Sequence, residues 1–116
     1  MVGACYNFGY GGVAQDYTEA VRLYSLSAAQ GNASAQYNLG VTFSNGQGVA
    51  QDYAEAVRLY RLSAAQGHTI AQFNLGTMFE NGQGVRKDRA EAIRWYRLAA
   101  EQGDDDAQRR LTILGA

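Results

Sequence analysis

Residues 14–49 read AQDYTEAVRLYSLSAAQGNASAQYNLGVTFSNGQGV. They are followed at once by residues 50–85, which read AQDYAEAVRLYRLSAAQGHTIAQFNLGTMFENGQGV. The two copies carry the same residue at 27 of their 36 positions. A third copy begins at Arg86 and matches the second at 14 of its 31 positions. Self-similarity at a fixed period of this length predicts stacked structural repeats.

Each period carries signals for two helices separated by glycine-rich turns. An aspartate followed three residues later by a glutamate is a capping pair, which satisfies free backbone N–H groups at the start of a helix that we name helix B. Helix B then runs about fourteen residues to a glycine, which can take the left-handed conformation that ends a helix. A shorter helix A is predicted at 33–45 and again at 69–81. The capping pairs are Asp16 with Glu19, Asp52 with Glu55 and Asp88 with Glu91, and the terminating glycines are Gly31, Gly67 and Gly103 for helix B and Gly46 and Gly82 for helix A.

The repetition covers the whole chain and predicts a single domain. A fragment of helix A opens the chain, with Cys5 expected as a half-buried small side chain on it, and a last helix A is predicted at about 105–114. The helices follow in the order A-B, A-B, A-B, A. The repeats therefore divide the chain into 1–31, 32–67, 68–103 and a terminal segment, 104–116.

Apolar residues form one stripe on each helix, at the i, i+3, i+4, i+8 spacing in helix B. In helix A, Gly40 beside the stripe is expected to let a neighbouring backbone approach closely. One helical pair cannot bury its stripes alone, whereas stacked pairs can. The sequence therefore predicts an all-α superhelix, or α-solenoid, of 36-residue helical hairpins. The stripe comprises Ala20, Leu23, Tyr24 and Ala28, then Ala56, Leu59, Tyr60 and Ala64, then Ala92, Trp95, Tyr96 and Ala100 in helix B, and Ala35, Leu39 and Phe43 in helix A.

Composition excludes several classes of protein. The 116 residues are 47% hydrophobic and 18% charged, as in ordinary globular domains, and they include no proline. Ten basic against eleven acidic residues give a net charge of -1, so no basic surface for nucleic acid is expected. No run approaches the roughly 20 apolar residues that a membrane crossing needs. The single cysteine and the absence of a visible signal peptide favour the cytoplasm, and a secreted or periplasmic location would require a leader outside this sequence.

The helix A pattern Leu39-Gly40-x-x-Phe43, followed by A-x-x-x-Y in helix B, resembles the tetratricopeptide repeat. The 36-residue period, the G-x-G-V-x-x-D linkers at 46–52 and 82–88 and the S/A-A-x-x-G ending resemble, more specifically, Sel1-like repeats. The resemblance implies an adaptor or scaffold that binds partner proteins on a curved surface and is not an enzyme. Two features depart from the family pattern. Ala14, Ala50 and Arg86 stand where a linker proline is common, and the paired cysteines of the disulfide-bridged secreted members are absent.

Differences between the first two copies are concentrated on helix A. Seven of the nine differing positions lie within residues 32–44, while the exposed Glu19 and Arg22 positions of helix B are unchanged in the next copy. At about 100° per residue, the varied positions Ser34, Tyr37, Val41 and Ser44 share an arc of roughly 80°, opposite the apolar stripe. In stacked hairpins of the tetratricopeptide type this arc lines the concave groove, so we predict a partner-binding groove, with drift of exposed positions as the alternative. The predicted groove residues are Ser34, Tyr37, Asn38, Val41, Ser44, Ile70, Phe73, Asn74, Thr77, Glu80, Asp106 and Arg109.

The groove residues indicate a protein or peptide partner. Tyr37 and Phe73 are predicted aromatic anchors, the residue type from which binding hot spots are built. Asn38 and Asn74 can both donate and accept hydrogen bonds, so they could hold a peptide backbone, which resembles the asparagine clamp of peptide-binding tetratricopeptide domains. The basic residues that complete a carboxylate clamp are missing from these helices. Recognition of a free C-terminal carboxylate is therefore not expected.

No catalytic residue, metal site or cofactor is predicted. His68, the only histidine, is expected to be a surface residue in a turn, without a second ligand or nucleophile beside it. One alternative function is structural, with copies of the chain stacking into a homo-oligomer through Ile113 and Leu114 at the open end of the solenoid. The other, which the resemblance allows for some members, is weak hydrolase activity or binding of a cell-wall ligand.

Overall fold

The computed structural model describes residues 12–116, and side-chain surroundings from residue 17 onward. The described part contains six α-helices and no strand. Helices α1, α3 and α5 are copies of helix B, and α2, α4 and α6 are copies of helix A. Each helix packs against the next one in the chain, which confirms the predicted all-α solenoid. The helices are α1 Gly12–Ala29, α2 Ala33–Asn45, α3 Tyr53–Ala65, α4 Thr69–Asn81, α5 Arg89–Glu101 and α6 Asp105–Leu114.

Local capping interactions set the helix ends. Asp52 Oδ1 accepts a hydrogen bond from the backbone N–H of Glu55 at 3.1 Å at the start of α3, and the same bond recurs at the start of α5. Helices α2 and α4 end at Gly46 and Gly82, with φ of 69° and 71°, where a Cβ atom would be strained. The predicted ranges of helix A and the predicted starts of α3 and α5 are therefore confirmed.

The predicted start of the first helix B is wrong. Helix α1 begins at Gly12, so Asp16 lies inside the helix and not at its cap. In the later repeats the linker glycine Gly84 lies against the backbone of Tyr53 at the start of α3, and Gly48 lies against the backbone of Tyr17 within α1. The Ala-Gln sequence ahead of Asp16 has good helix propensity, and it extends α1 by one turn.

The helix B stripe is buried most completely in α3. Ala56, Leu59, Tyr60 and Ala64 are all buried there, and Ala92, Trp95 and Tyr96 are buried in α5. The other members of the predicted stripe are less buried. Leu23 of α1 is 52% exposed. Ala20, Tyr24 and Ala28 of α1 and Ala100 of α5 are half-buried.

A glycine in α2 and another in α4 make room for an aromatic ring. A Cβ atom placed on Gly40 would lie 2.7 Å from Cε1 of Tyr60, and one on Gly76 would lie 2.8 Å from Cδ1 of Tyr96. The sequence predicted the close approach of a backbone at Gly40, and the backbone oxygen of Ala56 lies 3.4 Å from that Cβ position. The tyrosine ring of the following helix B lies closer still.

Candidate functional site

The predicted groove residues lie on α2, α4 and α6, and we name this set the helix A face. Ser34, Ile70, Asp106 and Arg109 are exposed, and the other eight are half-buried. Ile70 is an isoleucine with 54% of its surface exposed, at the position that Ser34 occupies one repeat earlier. Asp106 and Arg109 form an ion pair with each other on α6.

The two predicted aromatic anchors are partly used in packing. The Tyr37 ring stacks on the His68 ring, with centroids 4.8 Å apart and planes 20° apart, and lies 5.8 Å from the Tyr60 ring. One repeat later, the Phe73 ring lies 5.5 Å from the Tyr96 ring. Each anchor therefore supports the contact of its helix A with the following helix B and leaves only part of its surface for a partner.

Buried tyrosines of helix B extend their hydroxyl groups between neighbouring A helices. The Tyr96 hydroxyl donates to Oε1 of Glu80 at 2.6 Å and lies 3.2 Å from the hydroxyl of Thr77. Arg110 of α6 donates to the other carboxylate oxygen of Glu80. At the corresponding place one repeat earlier, Ser44, Asn74 and Tyr60 line one small cavity of about 130 Å³. Helix B thus supplies a fixed hydroxyl, and helix A supplies varied polar partners.

The ionisation of these groups follows from their burial. Burial raises the pKa of Tyr60 to about 12, against hydrogen bonds from Asn74 and Ser44 that act to lower it. The pKa of Tyr96 is also raised to about 12, by burial and by the hydrogen bond to Glu80. Burial acts to raise the pKa of Glu80, but the hydrogen bonds from Tyr96 and Arg110 and the charge of Arg110 lower it below its usual value. At neutral pH the tyrosines are neutral and Glu80 is ionised.

Equivalent cavities recur along the helix A face. Asn38 and Val41 line a cavity of about 210 Å³ together with Tyr24 of α1. Asn74 and Thr77, their equivalents one repeat later, line the 130 Å³ cavity with Tyr60. Each cavity combines an amide, a phenol and an apolar wall. Such a surface can bind the backbone and side chains of an extended segment at one position per repeat.

Three contributions to this surface are not predicted from the sequence. His68, expected to be a surface turn residue, is half-buried, and its Nδ1 accepts from the backbone N–H of Ala71 at 3.2 Å to cap α4. Its position corresponds to Asn32, a good capping residue, and that equivalence was the available signal. The contact of the Tyr96 hydroxyl with Glu80 and the ion pair of Arg110 with Glu80 had no local signal in the sequence. The bonded residues are 16 and 30 positions apart in the chain.

The described residues contain neither a group of metal-ligating side chains nor a membrane-spanning helix. Between residues 17 and 116, no three histidine, cysteine, aspartate or glutamate side chains are grouped so that they could hold a metal ion. None of the helices within residues 12–116 has the length and apolar character that a bilayer crossing requires. Cys5 and the opening helix fragment lie outside the described residues.

Comparison with known proteins identifies the repeat. The model of the Sel1 repeat family matches the chain three times, at residues 1–32, 33–68 and 69–104. The search of curated protein sequences gave no match.

Solved structures with the same architecture come from several bacteria. A protective antigen of uropathogenic Escherichia coli with an SLR fold is 46% identical, over 84% of this chain and 21% of that one, with a TM-score of 0.81. A Sel1 repeat protein from Oxalobacter formigenes is 38% identical, over 88% of this chain and 43% of that one, with a TM-score of 0.81. Cysteine rich protein B of Helicobacter pylori is 23% identical, over 75% of this chain and 65% of that one, and its TM-score of 0.72 supports the fold alone. This chain is therefore less than half as long as the first two proteins.

Proposed function

Because the chain belongs to the Sel1 repeat family, we propose that it is an adaptor that binds a protein or peptide segment along the helix A face. Members of this family are helical repeat modules that generally mediate protein–protein interaction and are typically not enzymes. The observation that carries the proposal is the repeated cavity of asparagine, tyrosine and an apolar side chain, with the exposed Ile70 beside it.

The charges of the helix A face favour an uncharged segment as the partner. Glu80 is neutralised by Arg110, and Asp106 is neutralised by Arg109. Recognition then depends on apolar contact and on hydrogen bonds to the amides of the cavities. An extended segment with alternating apolar and polar side chains satisfies both requirements.

The proposed function does not involve catalysis. His68 uses Nδ1 to cap α4 and stacks its ring on Tyr37, so its contacts are structural. We accordingly favour neither a hydrolase nor a binder of cell-wall ligands.

A capture experiment tests the adaptor proposal. Immobilised wild type is compared with the Ile70→Ser variant and with the double variant Tyr37→Ala, Phe73→Ala in retaining proteins from the source lysate, identified by mass spectrometry. Ile70→Ser places the residue of the preceding repeat at an exposed position, so the fold is expected to be unchanged. We expect Ile70→Ser to weaken capture of a partner and the double variant to abolish it.

A matched control lies outside the helix A face. Leu26 of α1 is 56% exposed and lines none of the cavities described, so Leu26→Ala is expected to capture the partner as well as wild type does. Circular dichroism and thermal unfolding of every variant show whether the fold is retained, which matters for the double variant because both rings pack on tyrosines. Equal capture by wild type and by a folded Ile70→Ser and double variant would contradict the proposal.

The exposure of Ile113 favours a second candidate, end-to-end self-association. Ile113 of α6 is 68% exposed at the C-terminal end of the solenoid, as predicted. Leu114 was predicted to be exposed as well, but it is half-buried and packs against the core. The physical reason is that α6 folds back on α5, which covers one side of the last turn but not the side that carries Ile113.

A further inference from the structure

A cleft opens between α1 and α3, on the side of α2 that faces away from the helix A face. Its cavity of about 520 Å³ has a size typical of ligand sites. The floor and walls are apolar, and the rim is polar. Phe43 and Leu39 of α2 and Leu59 and Leu62 of α3 supply the apolar surface, and Ser25 of α1 and Arg58 of α3 lie at the rim. We name this cavity the first cleft.

The equivalent place one repeat later, between α3 and α5, is filled by the chain itself. The guanidinium of Arg61 lies over the ring of Phe79, 5.1 Å from its centroid, and Arg61 stands where the first cleft has Ser25. Trp95 stands where the first cleft has Leu59, and the guanidinium of Arg94 lies 4.4 Å from the centroid of its ring. The second cleft thus holds one guanidinium and one indole that the first cleft lacks.

Equivalent side chains are more buried beside the second cleft than beside the first. Phe79 is only 6% exposed, whereas Phe43 at the equivalent position is half-buried. Leu98 packs against the core beside the filled cleft, whereas Leu62, its equivalent, is 44% exposed. The first cleft therefore leaves uncovered an aromatic and a leucine surface that the second cleft covers.

The charges at the two rims are alike. Arg58 pairs with Glu55 at 2.6 Å beside the first cleft, and Arg94 pairs with Glu91 at 2.7 Å beside the second. The second rim accommodates the guanidinium of Arg61 next to its own ion pair. The first rim has the same ion pair, in which Glu55 balances the charge of Arg58. A guanidinium supplied by a partner can therefore be accommodated there as that of Arg61 is at the second rim.

We propose that the first cleft binds a partner segment that carries an arginine next to an aromatic residue. The arginine guanidinium lies over the Phe43 ring, as Arg61 lies over Phe79, and a cation over an aromatic face is attracted by the ring quadrupole. The aromatic side chain lies against the exposed Leu62, with the guanidinium of Arg58 over it as that of Arg94 lies over Trp95. This site is separate from the helix A face and does not depend on the function proposed for it.

The test is a titration of isotope-labelled protein with N-acetyl-Arg-Trp-amide, followed by amide chemical shifts in NMR spectra. We expect shifts at the residues of α1, α2 and α3 that line the first cleft. N-acetyl-Lys-Leu-amide, which keeps a positive charge but has neither a guanidinium nor a ring, is expected to give much smaller shifts. The Ile70→Ser variant is expected to bind the dipeptide as wild type does, because Ile70 lies on the helix A face.

Filling the cleft from within the chain is the decisive control. Ser25 is exposed, so Ser25→Arg is expected to fold normally, to cover Phe43 as Arg61 covers Phe79, and to lose the dipeptide-induced shifts. The double variant Ser25→Arg, Leu59→Trp gives the first cleft both residues that fill the second cleft. We expect it to show no dipeptide-induced shifts. Three results would overturn the proposal: no shifts in wild type, shifts outside the first cleft, or unchanged shifts in a folded Ser25→Arg variant.

Discussion

At the scale of single residues, Tyr96 makes both an apolar packing contact and a polar contact. Its ring fills the space above Gly76, and its hydroxyl donates to Glu80, which also accepts from Arg110. The three groups come from α5, α4 and α6. The carboxylate of Glu80 thus links α4 to α5 and α6 through hydrogen bonds. These contacts stabilise its ionised form.

Removal of the charge at Glu80 is expected to make stability less dependent on pH. The pKa of Glu80 is lowered in the folded chain, so its contribution is fully present above the unfolded value of about 4.5 and is lost as the pH falls through the folded value. We expect Glu80→Gln to lower the free energy of unfolding by about 1 kcal/mol at neutral pH, since the pair is partly solvated. Urea unfolding of wild type and Glu80→Gln, at neutral pH and at about pH 3, measures the difference in their free energies of unfolding. We expect this difference to be smaller at the lower pH. A difference that stays constant between the two pH values would contradict the argument.

At the scale of helices, the contact of helix A with the next helix B depends on a residue without a side chain. Gly76 lies in the middle of α4, where glycine is unfavourable for an isolated helix by about 1 kcal/mol relative to alanine. The Tyr96 ring occupies the space that an alanine methyl group would need. The requirement of the interface therefore outweighs the preference of the helix.

Replacement of this glycine is expected to destabilise the protein in spite of the gain in helix propensity. The added Cβ of Gly76→Ala would lie 2.8 Å from the Tyr96 ring, which is buried and held by its hydrogen bond to Glu80. We expect a loss of about 1–3 kcal/mol in the free energy of unfolding, measured by urea denaturation. Ser34→Ala, at an exposed position of α2, is the control and should change stability by only a few tenths of a kcal/mol. An increase in stability for Gly76→Ala would show that the ring moves aside without cost.

At the scale of the whole molecule, burial is uneven along the solenoid. The main core cluster is formed by residues of α3, α4, α5 and α6, while no described side chain of α1 is buried. Each repeat depends on its neighbours for burial, so a helix packed on one side only keeps apolar surface in contact with water. Ile113 is such a residue at the α6 end.

Weak self-association through this end is the expected consequence. We expect the average mass of the wild type in sedimentation velocity to rise with protein concentration and that of Ile113→Glu to stay constant. Ile113 is mostly exposed, so the variant should remain folded, whereas a change at the half-buried Leu114 would also disturb the core. A mass that does not change with concentration in the wild type would remove self-association as a candidate function.

The sequence by itself determined the repeat, the helices and the fold class, because these depend on local patterns. Capping residues, left-handed glycines and apolar spacing act within a few residues of one another, so they can be read along one chain segment. It also placed the twelve groove candidates on the A helices, although their binding role stays a prediction. Local patterns were insufficient at Asp16, which lies inside α1, although the same aspartate–glutamate pair caps α3 and α5.

Only the tertiary structure decided which surfaces are open and which are filled. The tyrosine hydroxyl that reaches Glu80, the histidine ring that stacks on Tyr37 and the arginine that covers Phe79 all join residues from different helices. Successive repeats of one pattern therefore present one open and one closed cleft, because differences such as Ser25 against Arg61 act on a residue of another helix. The physical reason is that a side chain's partners are set by the distances between stacked helices, which no spacing within a single repeat specifies.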